Sequence, residues 1–263
     1  LRARVRVLLS TSRCICLLLL GPLLCALLAP GTAFAQQAAF PLGELYMVTS
    51  GYPDVGNALV HIDPTTGDHD LVTDLSAFTA IVPTLTWDPF RNRLLSAVQT
   101  GSPNGGIVSI DAFGYLRSPY PSEPTPTLLA SRGDGIVYLW RLSSGTVRYI
   151  DAADTVHDLL DVSGTGIFTL SGLVTEMIYD PGTDSLLMFQ QGQNATATCP
   201  AAAETCAIKV PLTASGTQVA GALSAAQYDV STSSEVPVGS GYLPGGDVLV
   251  VVDTNNNTEE ARM

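Results

Sequence analysis

The sequence predicts an all-β fold: a small β-propeller of about four to five four-stranded blades, one of them incomplete. Three observations lead there. Past residue 44 helical periodicity is nearly absent. In its place stand short Val/Ile/Leu/Tyr-rich runs punctuated by Gly, Pro, Asn and Asp every ten residues or so, the pattern of many short strands. Two phrases recur at intervals of 40 to 50 residues, the length of a four-stranded blade. A β-sandwich is the competing arrangement of the same strands.

The first phrase is a strand that closes on aspartate and a turn. It reads Ala58-Leu-Val-His-Ile-Asp63-Pro-Thr-Thr-Gly67, then Gly106-Ile-Val-Ser-Ile-Asp111-Ala-Phe-Gly114, then Thr146-Val-Arg-Tyr-Ile-Asp151-Ala. The second is aromatic-Asp-Pro, a short turn and an apolar strand: Trp87-Asp88-Pro89-Phe-Arg-Asn92-Arg-Leu94-Leu95, and again Tyr179-Asp180-Pro181-Gly-Thr-Asp184-Ser-Leu186-Leu187. Asp63 to Asp111 spans 48 residues, Asp111 to Asp151 spans 40, and Asp88 to Asp180 spans 92, twice 46. Gly133-Asp134-Gly135-Ile-Val-Tyr138 stands midway as a weaker copy. One such unit cannot cover its own faces, so neighbouring copies must stack.

With the strands of a blade named A to D from the axis outward, the chain enters on a B strand at 44–48. A C strand follows at 58–62, a D strand at 69–74 and the next A strand at 84–87. The cycle continues through 94–98, 107–110, 115–117, 127–130, 136–140, 147–150 and 156–160, and then 176–179, 186–190 and 207–210. It closes with a blurred 219–230, 236–239 and 248–252, and the run 167–173 could supply part of a fifth blade. A polar tail, 253–263, follows.

The succession of strand-Ile-Asp-x-x-x-Gly and Trp/Tyr-Asp-Pro-x-x-x-Asn-x-Leu resembles the secreted bacterial propellers of the NHL, YVTN and SMP-30-like kind, over most of residues 44–252. The resemblance implies an architecture and no particular activity.

Ahead of the repeats lies a leader. Arg2, Arg4, Arg6 and Arg13 precede an almost purely apolar run, 14–28, and then the small-x-small triplet Ala33-Phe34-Ala35. These are the three parts of a secretory signal peptide, and the apolar run is shorter than the roughly 20 residues a membrane span needs. The organisation is therefore signal peptide 1–35, linker 36–43, repeat domain 44–252 and tail 253–263.

Cleavage after Ala35 leaves eight basic side chains, Lys209 the single lysine among them, against 24 acidic ones. Such a surface repels nucleic acid and anionic lipid, and suits divalent cations such as calcium. Cys199 and Cys206 remain after cleavage and, outside the cytoplasm, read as a disulfide closing a small loop. A metal site there is the weaker reading, since no histidine lies nearby.

In this parse the A–B and C–D turns are short and share one end of the disc, while the B–C and D–A connections at the other end are longer. A rigid scaffold with long loops at one end can carry a binding surface there. The candidate ligand-binding residues are Tyr52, Asp54, Asn57, Asn104, Tyr120, Gln193 and Asn194. The recurrent aspartates 63, 88, 111, 151 and 180 read as turn formers whose carboxylates accept backbone N–H groups.

No catalytic set emerges. His61 lies within a C strand while His69 and His157 begin outer D strands of different repeats, there is no Gly-x-Ser-x-Gly elbow, and Gly101-Ser-Pro-Asn-Gly-Gly106 precedes a strand rather than a helix. Glu176 is the single acid assigned to an inner strand. The tail from Asp253 opens like a calcium loop but has Thr258 where glycine is required. Asn194-Ala-Thr196 and Asn256-Asn257-Thr258 match the glycosylation acceptor pattern.

The reading is an exported binding or interaction module whose partner is a protein, glycan or small molecule. Two alternatives compete with it. One is a metal-dependent, lactonase-like propeller hydrolase or lyase working in the central channel; the other is a fragment of a larger surface protein.

Overall fold

The computed structural model describes residues 45–78, 80–99, 106–120, 128–141, 145–161, 174–191, 205–227, 236–242, 248–254 and 258–262. They form 18 strands in five antiparallel sheets. The first sheet is β1 (Leu45–Tyr52), β2 (Gly56–Ile62) and β3 (His69–Asp74). The second is β4 (Ala80–Asp88), β5 (Arg93–Gln99), β6 (Gly106–Ile110) and β7 (Leu116–Tyr120). The third is β8 (Leu128–Ser131), β9 (Val137–Arg141), β10 (Thr146–Ile150) and β11 (Val156–Asp161). The fourth is β12 (Val174–Asp180), β13 (Ser185–Gln191), β14 (Thr205–Pro211) and β15 (Ser224–Gln227), and the fifth is β16 (Val236–Tyr242), β17 (Val248–Thr254) and β18 (Thr258–Arg262). Within every sheet, strands consecutive in sequence are neighbours.

The sheets follow one another like blades. β1 lies against β4, β4 against β8, β8 against β12 and β12 against β16, so the first strand of each sheet takes the inner position. This is the architecture of a small, incomplete β-propeller. It excludes the sandwich alternative, in which two sheets would close on each other.

The sequence explains why each internal sheet is covered on both faces. Neighbouring side chains in a strand point to opposite faces, and here both are apolar. Leu94 packs with Leu59, Leu75 and Ile110 between the first and second sheets, while Leu95 packs with Ile107, Leu129, Val137 and Leu139 between the second and third. The next interface joins Ala130, Tyr138 and Trp140 to Met177, Leu186, Met188 and Ile208. Phe189, Ala207 and Leu187 lie on the opposite face of the fourth sheet. Each fully buried Leu, Ile or Met contributes about 1.5–3 kcal/mol relative to exposure.

Proline is tolerated where the ladder is already broken. Pro83, Pro119 and Pro237 all fall within or beside register irregularities of their strands. A residue without an N–H therefore removes no regular hydrogen bond there.

The strands agree with the sequence expectations in number and order up to β14, with three differences. The expected strand 115–117 begins at Leu116 and runs to Tyr120. The blurred 219–230 resolves into a bridge between Leu212 and Val219 and the short β15. The polar tail is partly a strand: β18 pairs with β17 from Thr254↔Thr258 to Val250↔Arg262. Ladder bonding satisfies backbone groups whatever the side chains, so a polar segment can pair at an edge. Residues 167–173, considered for a fifth blade, lie outside the described residues, as do the leader 1–35 and the linker 36–43.

Candidate functional site

The antiparallel order divides the strand connections between two ends. At the turn end lie the links β2–β3, β4–β5, β6–β7, β8–β9, β10–β11, β12–β13 and β14–β15. Each recurrent aspartate sits at the start of such a turn and accepts two backbone N–H groups on Oδ1. Asp63 accepts from Thr65 and Thr66, Asp88 from Phe90 and Arg91, and Asp111 from Phe113 and Tyr115. Asp151 accepts from Ala153 and Thr155, and Asp180 from Gly182 and Thr183. The N–H of Thr65 holds the Asp63 carboxyl below its usual range, and that of Thr155, with His157, does the same for Asp151. The architectural role expected of these aspartates is what the structure shows.

Two arginines tie these turns across sheets, and the sequence reading assigned them no role. Arg91, in the β4–β5 turn, pairs with Asp88 at 2.7 Å and reaches the β10–β11 turn, donating to the Asp151 carbonyl and pairing with Asp154 at 3.1 Å. Arg132, in the β8–β9 turn, donates to the Ala214 carbonyl in the β14–β15 connection and lies 3.5 Å from Asp184.

Tyr138 and Tyr179 complete the second cluster. Their rings stack at 6.2 Å; Tyr138 donates to the Gly216 carbonyl at 2.9 Å and Tyr179 donates to Asp184 at 2.8 Å. Burial pushes the hydroxyl pKa of both up. The guanidinium of Arg132 sits 5.8 Å from the Tyr179 ring centroid. The one signal in the sequence was an arginine in two successive turns of the same class.

The expectation that all turn-end connections are short is corrected here. The β14–β15 link, 212–223, is long because it folds back on itself and supplies Ala214 and Gly216 to the third sheet.

At the loop end, three of the seven candidate ligand-binding residues lie in or beside the β1–β2 connection. Tyr52 ends β1 and is half-buried, and Asp54 is exposed with φ of 68°. Asn57 donates from Nδ2 to the Phe78 carbonyl at 2.8 Å, while its own carbonyl accepts from Leu75 N–H at 2.8 Å. It therefore fastens this loop to the β3–β4 connection. Tyr120 ends β7 at the same end of the disc. Asn104, Gln193 and Asn194 lie outside the described residues, and so does Cys199. Cys206 belongs to β14, opposite Gln190 and Gln227.

The histidines do not converge. Asp70 pairs with His61 and Ile62 with His69, which places the two on opposite faces of the first sheet. His157 stacks on Tyr149 at 4.9 Å and contacts Asp151 through Nε2 at 2.8 Å. Among the described residues no three His, Cys, Asp or Glu side chains gather as a metal cluster, and no helix is long and apolar enough to cross a membrane. Glu176 is half-buried on the inner strand β12.

No family model matches the sequence, and no curated protein matches it. Solved structures do. A chain of a nidogen/laminin complex superposes with a TM-score of 0.56 at 11% identity, over 83% of this chain and 73% of that one. An auxiliary nutrient binding protein from Bacteroides thetaiotaomicron gives 0.55 at 10% identity, over 86% and 56%. Another from Bacteroides ovatus gives 0.52 at 12%, over 79% and 52%. This chain spans about half the length of the two nutrient-binding chains. At such identities the likeness is one of fold: the chain is built as a β-propeller.

Proposed function

We propose that this chain is an exported binding module that recognises a protein, glycan or small-molecule ligand through the loop end of its propeller. The organisation behind this reading is a cleaved leader 1–35, a linker 36–43 and a repeat domain from 44 to 252. The contact set is Tyr52, Asp54, Asn57, Asn104, Tyr120, Gln193 and Asn194, on a scaffold closed nearby by a Cys199–Cys206 disulfide.

One observation carries the reading. At the turn end the recurrent carboxylates and the two arginines are occupied by turn N–H groups, carbonyls and each other. The loop end instead presents the exposed Asp54 beside Tyr52, on a loop fastened at its base by Asn57. Anchored loops on a rigid sheet scaffold are the usual place for recognition. The leader and the acidic surface support an extracytoplasmic setting.

The test is a glycan and secreted-protein array probed with the exported chain, with and without calcium. Two doubly substituted variants, Tyr52→Ala/Asp54→Asn and Phe113→Ala/Tyr115→Ala, are probed in parallel. The expected result is a ligand whose affinity falls about tenfold or more in the loop-end variant and is unchanged in the turn-end variant. Loss in the turn-end variant alone would overturn the reading.

A further inference from the structure

Three aromatic side chains stand out from the turn end, all on the second sheet. Phe90 belongs to the β4–β5 turn and is 54% exposed; Phe113 and Tyr115 belong to the β6–β7 turn and are 63% and 68% exposed. Their backbone is fixed. Asp88 accepts the Phe90 N–H, and Asp111 accepts those of Phe113 and Tyr115. Gly114, between the last two, sits so close to β3 of the first sheet that a Cβ there would fall 2.4 Å from the Val72 carbonyl oxygen. The Phe113 and Tyr115 rings, 6.3 Å apart, are thus held outward from a turn wedged against its neighbour. Phe90 marks the other boundary, where a Cβ on Gly135 of the third sheet would stand 3.2 Å from its Cδ1. Exposed apolar groups gathered on fixed backbone mark a contact surface.

Carboxylates flank the aromatic pair and its neighbour. On the first sheet, Asp68 and Asp70 are exposed at the start of β3. Asp70 pairs with His61, and the His61 ring lies 5.3 Å from that of Tyr46, which packs toward the second sheet. Residues paired across antiparallel strands share a side, so Asp70 lies on the face where the β6–β7 turn is seated. On the third sheet, Asp134 and Asp154 are half-exposed beside the turns that Phe90 overhangs. The turn arginines are drawn inward instead. Arg91 and Arg132 keep only 10% and 12% of their side chains exposed and are committed to carboxylates and carbonyls of the scaffold.

We propose that the Phe113–Tyr115 turn, with Asp70 beside it, docks an arginine-bearing basic segment of a second protein. Charge complementarity selects the occupant: aromatic faces attract a guanidinium, and the carboxylates alongside complete its recognition. A second copy is a poor occupant, because the chain carries 24 acidic against 12 basic side chains and the facing surfaces would repel. Anionic lipid is repelled for the same reason. The inference concerns the turn end and a partner of its own, and does not rest on the loop-end reading.

The test titrates a labelled nona-arginine peptide against the exported full chain at about 0.15 M salt, where diffuse charge attraction is screened beyond about 8 Å. Phe113→Ala/Tyr115→Ala changes no charge and removes only exposed rings. It is expected to weaken binding about tenfold or more. Asp70→Asn should weaken it about threefold, whereas Asp54→Asn, the same change of charge at the loop end, should bind like the parent. Equal affinity in the aromatic variant would reduce the binding to general attraction by an acidic chain, and a parent that does not bind the peptide has no such dock. Either result overturns the proposal. Phe113→Trp supplies a direct readout: its emission is expected to shift blue as the peptide is added, and an unchanged spectrum at saturation would place the contact elsewhere. A dimer by sedimentation that Phe113→Ala/Tyr115→Ala abolishes would make a second copy the occupant and likewise overturn it.

Discussion

Nε of Arg91 stands 3.1 Å from Oδ1 of Asp154, across the boundary between the second and third sheets. The same guanidinium pairs with Asp88, whose side chain is fully buried, and donates to the Asp151 carbonyl. One side chain thus joins the turn of one blade to the outer turn of the next. Arg91→Ala removes the cation from a buried carboxylate that keeps only its two turn N–H donors. A loss of about 3 kcal/mol is expected, the low end for breaking a buried pair. Asp154 is half-exposed, and Asp154→Asn, which tolerates the left-handed backbone there, is expected to cost less than about 1 kcal/mol. Urea unfolding of the two variants beside the parent measures the contrast, and equal losses would refute the clamp.

Two glycines with nearly the same backbone separate strain from collision. Gly67 has φ of 77° and open space where a Cβ would stand. Gly114 has φ of 76°, and its Cβ would fall 2.4 Å from the Val72 carbonyl oxygen in the first sheet. Gly67→Ala should lose about 1 kcal/mol from the left-handed conformation alone. Gly114→Ala must also part the first and second sheets, and about 3 kcal/mol is expected, as for other overpacked sites. The unfolding midpoints report both; a smaller effect at Gly114 would mean that this boundary yields easily.

Acid should unfold the protein through its turn aspartates. Backbone N–H groups of Thr65 and Thr66 lower the Asp63 pKa, Ser76 lowers that of Asp74, and Thr155 with His157 lowers that of Asp151, all from an ordinary value of 3.8. A carboxyl with a depressed folded pKa binds fewer protons folded than unfolded. Its contribution is therefore complete above the unfolded value and lost as pH falls through the folded one. The melting temperature is expected to hold level from about pH 7 to pH 5 and to fall below about pH 4. Asp151→Asn should lower the neutral-pH value and flatten the acid decline. An unchanged acid slope would mean that other groups control it.

Much of this fold was legible because its causes are local. The strand His69–Asp74 was expected at its observed bounds, and the Asp-turn phrases repeat because each carboxylate satisfies N–H groups two to four residues onward. The repetition itself announced stacked sheets, since one unit cannot cover its own faces. The inter-sheet clamps were not legible. Arg91 reaches 60 residues along the chain to Asp151, and Arg132 reaches 82 to Ala214, distances at which no spacing rule operates. β18 escaped notice for another reason: Thr-Glu-Glu-Ala-Arg pairs through its backbone, and an edge strand requires no apolar pattern. At the candidate site, residue type and loop position pointed to Asn57, but its bond to Phe78 gives it a structural duty that composition could not reveal.

That duty separates the roles of neighbouring loop residues. Asn57→Ala removes the donor to the Phe78 carbonyl and loosens the tie between the β1–β2 and β3–β4 connections. It should lose about 1 kcal/mol of stability, the worth of one partly buried hydrogen bond, and weaken ligand binding through the loosened loop. Asp54 is exposed and holds φ of 68°, a conformation Asn accepts. Asp54→Asn should leave stability within about 0.5 kcal/mol and reduce binding alone. Unfolding midpoints set beside binding isotherms for the two variants distinguish anchor from contact. If Asp54→Asn binds like the parent while Asn57→Ala does not, the loop matters for its shape and Asp54 is no ligand contact.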